Sequence, residues 1–242
     1  MNILDILILL VLSFCLLAGM HRGSISSALS TIGFVGSWFG ARALYERVAN
    51  LALSNTTLMA VLNQYLEPAS FFTTNAQASM TVTEVVSGGE SAIQAAVAPV
   101  AERISVISRA FEANIRNQAF TRLNIFTLAD YLDQTIWQAV FNVVAFLLTF
   151  LVIYAVVSLV VNLLDHVIPF PVFRMFDWLA GGVLGLARGL VLAVLMLCIL
   201  PSVITLISPE LTQTLISEST LYSVVSQIDL LGVTQTVAQL IG

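Results

Sequence analysis

The sequence predicts an all-α polytopic membrane protein, with four transmembrane helices arranged as two antiparallel hairpins and extramembrane amphipathic helices besides. Three observations predict it. Of 242 residues, 58% are hydrophobic and only 10% are charged, whereas a soluble domain carries about 25% charged residues. Four apolar stretches reach the length of about 20 helical residues that a bilayer crossing takes. These stretches also fall into two pairs with short connections, which places neighbouring helices antiparallel.

The first span runs from about Ile3 to Met20. Its apolar run begins so early that a cleaved signal peptide must be weighed. Such a peptide starts with a basic region, and here Asp5 stands where a base is expected. Leu17-Ala18-Gly19 comes close to a lipoprotein cleavage box, but Met20 occupies the place of the modified cysteine. The expectation is an uncleaved span. His21, Arg22 and Gly23 then turn the chain into a second span, Ser24 to Leu44, which is rich in small residues. Residues 1–44 form the first hairpin.

The third span runs from about Trp137 to Leu164, longer than a perpendicular crossing requires, so tilt or a projection into water must absorb the excess. The fourth runs from about Trp178 to Leu200 and is expected to stop at Pro201. Between them, Pro169-Phe170-Pro171 removes backbone donors and enforces a turn. Residues 137–203 form the second hairpin.

Residues 45–136 are the least hydrophobic part of the chain. Pro68 to Ser91, with Gly88-Gly89, reads as loop. Pro99 to Leu123 reads as one helix, because Val100, Ile104, Ile107, Phe111 and Ile115 recur at helical spacing. Arg103, Arg109, Arg116 and Arg122 lie off that stripe. Such a helix either lies on a membrane surface or packs on its own neighbours, and the sequence does not separate the two. In the tail, residues 204–242, Ser208-Pro209-Glu210 resembles a helix start. Leu211, Leu215, Leu221, Val225 and Ile228 suggest an amphipathic helix after it.

Short loops rich in arginine tend to stay cytoplasmic, and long segments largely escape that rule. The short connections hold Arg22 and Arg174, so the expected orientation puts residues 45–136 and both termini on the outer, periplasmic side.

Charge and motif content narrow the function. The net charge is −5, every base is an arginine, and no basic stripe exists, which excludes a nucleic-acid partner. The two histidines, His21 and His166, belong to no metal-binding pattern. Cys15 and Cys198 sit in apolar runs as small hydrophobes. No catalytic residue, metal or cofactor is expected, and the chain reads as a non-enzyme.

Two features stand out within the spans. Gly181, Gly185 and Gly189 fall four apart in the fourth span. Gly33, Ser37 and Ala41 form a similar row in the second, with Gly36 and Gly40 beside it. Rows of this kind let helix backbones approach closely in lipid, so Gly33, Gly36, Gly40, Gly181 and Gly185 are read as helix-packing positions. The second feature is Arg188, some 15 Å into the fourth span at about 1.5 Å per residue. A charge at that depth must face the bundle interior and have a partner. Asp5 is a candidate partner, as are Tyr154, Ser158 and Asn162, which share a face of the third span. The arginine is read as a structural clamp between the hairpins or as part of a permeation path.

These residues resemble the colicin V production protein (CvpA) family of bacterial inner-membrane proteins. The resemblance rests on Asp5 early in the first span and on Gly19 with Arg22-Gly23 at its end. In the second hairpin it rests on Asp177-Trp178-Leu179, Gly181 and Gly185-Leu186-Ala187-Arg188-Gly189. It covers about residues 2–44 and 137–203. It implies an inner-membrane protein supporting colicin V (toxin) production or export and envelope homeostasis. Its family-defining positions would be Asp5, Arg22, Gly23, Asp177, Gly181, Gly185, Arg188 and Gly189. The family commonly has a short connection between its hairpins, so residues 45–136 depart from the pattern. Some relatives carry a trypsin-like protease, but no glycine-flanked serine with a matching histidine occurs here. Two roles are expected to compete: a non-catalytic scaffold with an export or envelope partner, and a small homo-oligomeric channel or transporter with Arg188 inside. The lipid bilayer is the expected partner in both.

Overall fold

A computed structural model of the chain describes residues 3–62, 64–167, 174–207, 219, 221 and 233–241. Among the described residues it is helical, with no strand beyond a single antiparallel bridge, Thr81 to Thr127. The long helices are α1 (Ile3–Arg22), α2 (Ser24–Leu53), α8 (Leu128–Val167) and α9 (Arg174–Ile207). Shorter ones lie between: α3 (Thr56–Leu62), α4 (Asn75–Ala78), α5 (Val82–Ser87), α6 (Glu90–Arg103) and α7 (Ser105–Arg116). A last described helix covers Val233–Ile241. The Pro169-Phe170-Pro171 turn and most of the predicted tail helix, including Ser208-Pro209-Glu210, lie outside the described residues.

Among the described residues, three helices are long and apolar enough to cross a membrane: Ile3–Arg22, Leu128–Leu163 and Asp177–Leu197. The second predicted span lies in α2, which is long enough at 30 residues but does not join them. Its serines, threonine, glycines and charged C-terminal half dilute its hydropathy. Helix α9 passes through Pro201 to Ile207 instead of stopping there. Apolar helices tolerate a proline where local adjustments satisfy the freed carbonyl.

The chain divides into two compact units. Unit 1 comprises Met1–Tyr45 and Phe146–Val237. In it α1 and α9 run antiparallel in close contact, since Gly19 meets Gly181 while Cys15 meets Gly185 and Leu12 meets Gly189. Helices α2 and α8 are antiparallel too, joined by aromatic rings. Phe34 lies edge-on to Phe150 at 5.2 Å, and Trp38 edge-on to Phe146 at 5.0 Å between centroids. Both pairings therefore run across the two predicted hairpins. Large apolar side chains point outward: Phe14, Leu10, Leu151, Val156, Leu159 and Val183 are all exposed.

Unit 2 comprises Glu46–Ala145 and Ala238–Gly242. It has an apolar core of its own. Val100, Ile104, Ile107, Phe111 and Ile115 are all buried in it, with Val82, Val85, Leu128, Tyr131, Leu132 and Ile136. The predicted stripe is therefore packed on neighbouring helices of the same unit. The single helix predicted over Pro99 to Leu123 is two, broken at Ile104, whose backbone (φ −135°, ψ 74°) leaves the helical region. Pro99 lies inside α6 and starts nothing.

The stretch predicted as loop, Pro68 to Ser91, contains α4, α5 and a 3-10 turn at Pro68–Phe71. Thr81 and Glu84 form a reciprocal capping box that starts α5. This device satisfies two otherwise unpaired backbone donors in a helix too short to display a periodicity. The N-terminal residues of α8 belong to this core, so the helix that holds the third predicted span begins before Trp137, at Leu128.

Candidate functional site

In unit 1 the residues of interest form three layers along the α1–α9 contact. The outermost is the turn between α1 and α2. Gly23 has φ +81°, a conformation that side chains with a Cβ rarely adopt. A Cβ there would also sit 2.5 Å from Asp177 Oδ2. The other carboxylate oxygen, Oδ1, accepts the Ser24 backbone N–H at 2.6 Å and the Ser24 hydroxyl as well. Asp177, in the first turn of α9, thus satisfies the N-terminus of α2 from another element, where a negative group also complements the helix dipole.

The second layer is the glycine contact. A Cβ on Gly19 would overlap the Gly181 carbonyl, one on Gly181 the Gly19 carbonyl, and one on Gly185 the Cys15 carbonyl. On Gly189 it would lie 2.9 Å from Cys15 Cβ. Backbone meets backbone here, so no larger residue fits without moving a helix. Cys15 is a free thiol between these glycines.

The third layer holds Arg188, which is only 8% exposed. Its Nη1 donates to Ser30 Oγ at 2.5 Å and its Nη2 to Ser27 Oγ at 3.5 Å. Ser27 in turn donates to the Gly181 carbonyl at 3.1 Å, which links this layer to the one above.

The sequence-predicted residues separate into those that the fold gathers and those it does not. Gly23, Asp177, Gly181, Gly185, Arg188 and Gly189 come together. Asp5 is buried, but its Oδ1 accepts Ser219 Oγ at 2.6 Å and Leu221 N–H at 3.1 Å; it makes no ion pair with Arg188 among the described residues. The other proposed partners are elsewhere as well. Tyr154 stacks on Phe150 and lies edge-on to Phe34, while Ser158 and Asn162 line an open groove along α8.

Arg22 is exposed in the last turn of α1. Gly33 and Gly40 do pack, against Val157 and Ile153 of α8. Gly36 does not: it is exposed, and a Cβ there would meet nothing within 4 Å. Arg188's actual partners, Ser27 and Ser30, were missed. The signal was present, since serines three apart share a helical face, but serine is also a common small packing residue in such spans. The described residues hold no cluster of His, Cys, Asp or Glu able to bind a metal.

The sequence profile described as colicin V production protein matches residues 4–88 and 120–230. It includes every residue of the three layers and reaches into the segment between the hairpins. Only residues 89–119 in that segment fall outside it, and they contain α6 and α7. The expected departure from the family is therefore narrower than residues 45–136. No curated protein and no solved structure matches the chain.

Proposed function

Because this chain belongs to the colicin V production protein family, we propose that it is a non-catalytic membrane scaffold supporting colicin V production or export and envelope homeostasis. The observation that carries this reading is the closed α1–α9 contact. Its glycines leave no room for side chains, and its polar groups, Asp177 and Arg188, are spent on holding helices together. Such a body offers shape and outward apolar surface to partners. In this reading α2 is the fourth span, with Ser27 and Ser30 turned to Arg188 and Ser24 to Asp177. The bilayer is the bacterial inner membrane, and residues 45–136 with both termini face the periplasm.

The test is complementation in a colicin V–producing strain that lacks the chain. Asp177→Asn keeps the size of the side chain but weakens its acceptance from Ser24. It is expected to reduce exported toxin several-fold at equal membrane level, and affinity purification of the wild type is expected to bring down one stable envelope or export partner. Full export with Asp177→Asn, together with no partner after cross-linking, would sink the proposal. The enclosure of Arg188 favours a second reading, a small oligomeric channel or transporter. Solute flux through liposomes containing this chain alone, abolished by Arg188→Ala, would select it.

A further inference from the structure

Asp5 and Asp177 occupy equivalent places in two helices. They stand in the first turns of α1 and α9. Each opens the same short pattern, Asp5, Leu7, Val11 and Leu12 in one helix and Asp177, Leu179, Val183 and Leu184 in the other. Their contacts are of one kind as well. Asp177 Oδ1 accepts the hydroxyl and the backbone N–H of Ser24, the first residue of the helix after α1. Asp5 Oδ1 accepts the Ser219 hydroxyl at 2.6 Å and the Leu221 backbone N–H at 3.1 Å, in the chain that follows α9. Leu221 is helical and Ser219 is not. At both places a carboxylate from another element satisfies a backbone donor of the kind that helix starts leave unpaired.

The two contacts lie at opposite ends of one antiparallel pair. Asp177 sits against Gly23. Asp5 lies about 18 residues earlier in α1, roughly 27 Å away at 1.5 Å per residue, which is close to the ~30 Å of a hydrocarbon core. We infer that α1 and α9 form an inverted repeat, related by a half-turn about an axis between them, with one carboxylate latch at each end. Residues 219–221 are the strap that Asp5 holds at the end away from Gly23. Repeats of inverted topology let the two faces of a membrane protein move in turn about a fixed middle. Arg188 supplies that middle. The corresponding position in α1 is Leu16, so the arginine breaks the repeat, and its neighbour Gly189 meets Leu12, between the two latches. Release of either latch frees its own end and leaves the other closed. This inference stands apart from whether the protein scaffolds or transports.

The test is hydrogen exchange on the purified full chain in lipid nanodiscs, read in the peptides covering residues 219–221 and 23–27. Ser219→Ala should quicken exchange at 219–221 roughly tenfold, the loss of one hydrogen bond to a carboxylate, and leave 23–27 as in the wild type. Asp5→Asn should act at the same end. Ser24→Ala should do the reverse, loosening 23–27 and leaving 219–221 unchanged. Joined in one chain, Ser219→Ala and Ser24→Ala should give the two separate effects side by side, as independent sites do. A folded Ser219→Ala variant with wild-type exchange at 219–221 overturns the proposal. So does loosening of both ends by either serine variant. The serine variants each remove a single hydroxyl, and they decide the matter even if Asp5→Asn fails to fold.

Discussion

The two units of this molecule invert each other. Unit 2 buries Phe111, Ile115, Val100 and Leu132 and keeps its ionised pairs, such as Arg116 with Glu90 and Glu112, on the exposed side. Unit 1 buries Arg188, Asp5, Ser27, Ser30 and Ser37 and exposes Phe14, Leu10, Leu159 and Val183. One chain therefore uses two ways of staying together. In unit 2 apolar side chains leave water, and burial itself drives the packing. In unit 1 the outward surface is already apolar, so close backbone approach and internal hydrogen bonds must hold the helices.

The sharpest break of this comparison uses one substitution in each unit. Phe111→Ala opens a cavity in the core of unit 2 and is expected to cost about 3–5 kcal/mol. Gly185→Leu forces a side chain into the Cys15 carbonyl and is expected to cost about 3 kcal/mol or more, the upper range for overpacking. Hydrogen exchange on the whole chain should localise the first loss to α6, α7 and the start of α8, and the second to α1 and α9. Exchange that rises uniformly in both variants would mean that the two units are not held by separate means. Gly36→Leu, at an open position, should leave exchange unchanged.

A smaller effect separates the two kinds of arginine. Arg188→Ala removes a buried donor to two hydroxyls and is expected to cost roughly 1–3 kcal/mol. Arg103→Ala removes an exposed donor to the Ser70 carbonyl and should stay within about 0.5 kcal/mol. Equal membrane accumulation and equal thermal midpoints for the two variants would erase the distinction.

The smallest effect is one of pH and belongs to unit 2. The Thr81 backbone N–H and hydroxyl hold the Glu84 carboxyl below its ordinary value of 4.5, and the Arg116 guanidinium does the same for Glu90. A carboxylate depressed in the folded state contributes stability that is complete above its ordinary value and is lost as pH falls through the depressed one. Exchange in α5 and α6, corrected for intrinsic chemistry, should therefore quicken as pH drops from about 5 to about 3. In Glu84→Gln the change at α5 should be weaker. An unchanged acid response in that variant would assign the effect to other groups.

Much of this was legible in the residues alone. Runs such as Ile3 to Met20 and Trp137 to Leu164 declare helices for an apolar setting, because hydropathy sums locally and needs no knowledge of neighbours. The spacing of Val100, Ile104, Ile107, Phe111 and Ile115 declared a buried face in the same way, although not the break at Ile104 that divides it. The four-residue period of Gly181, Gly185 and Gly189 foretold close packing, and the position of Arg188 foretold an interior charge.

The partners were a different matter. That Gly19 faces Gly181, that Asp177 closes onto Ser24, and that Arg188 turns to Ser27 and Ser30 instead of Asp5 depend on how distant helices are aligned. A glycine row states that something comes near without stating what, and a serine three residues from another is polar from any direction. Sequence by itself determined the kinds of helix and which faces must be covered, because these follow from local composition and period. Only the tertiary structure decided which face covers which, because that choice minimises backbone overlap and unpaired polar groups over the whole bundle at once.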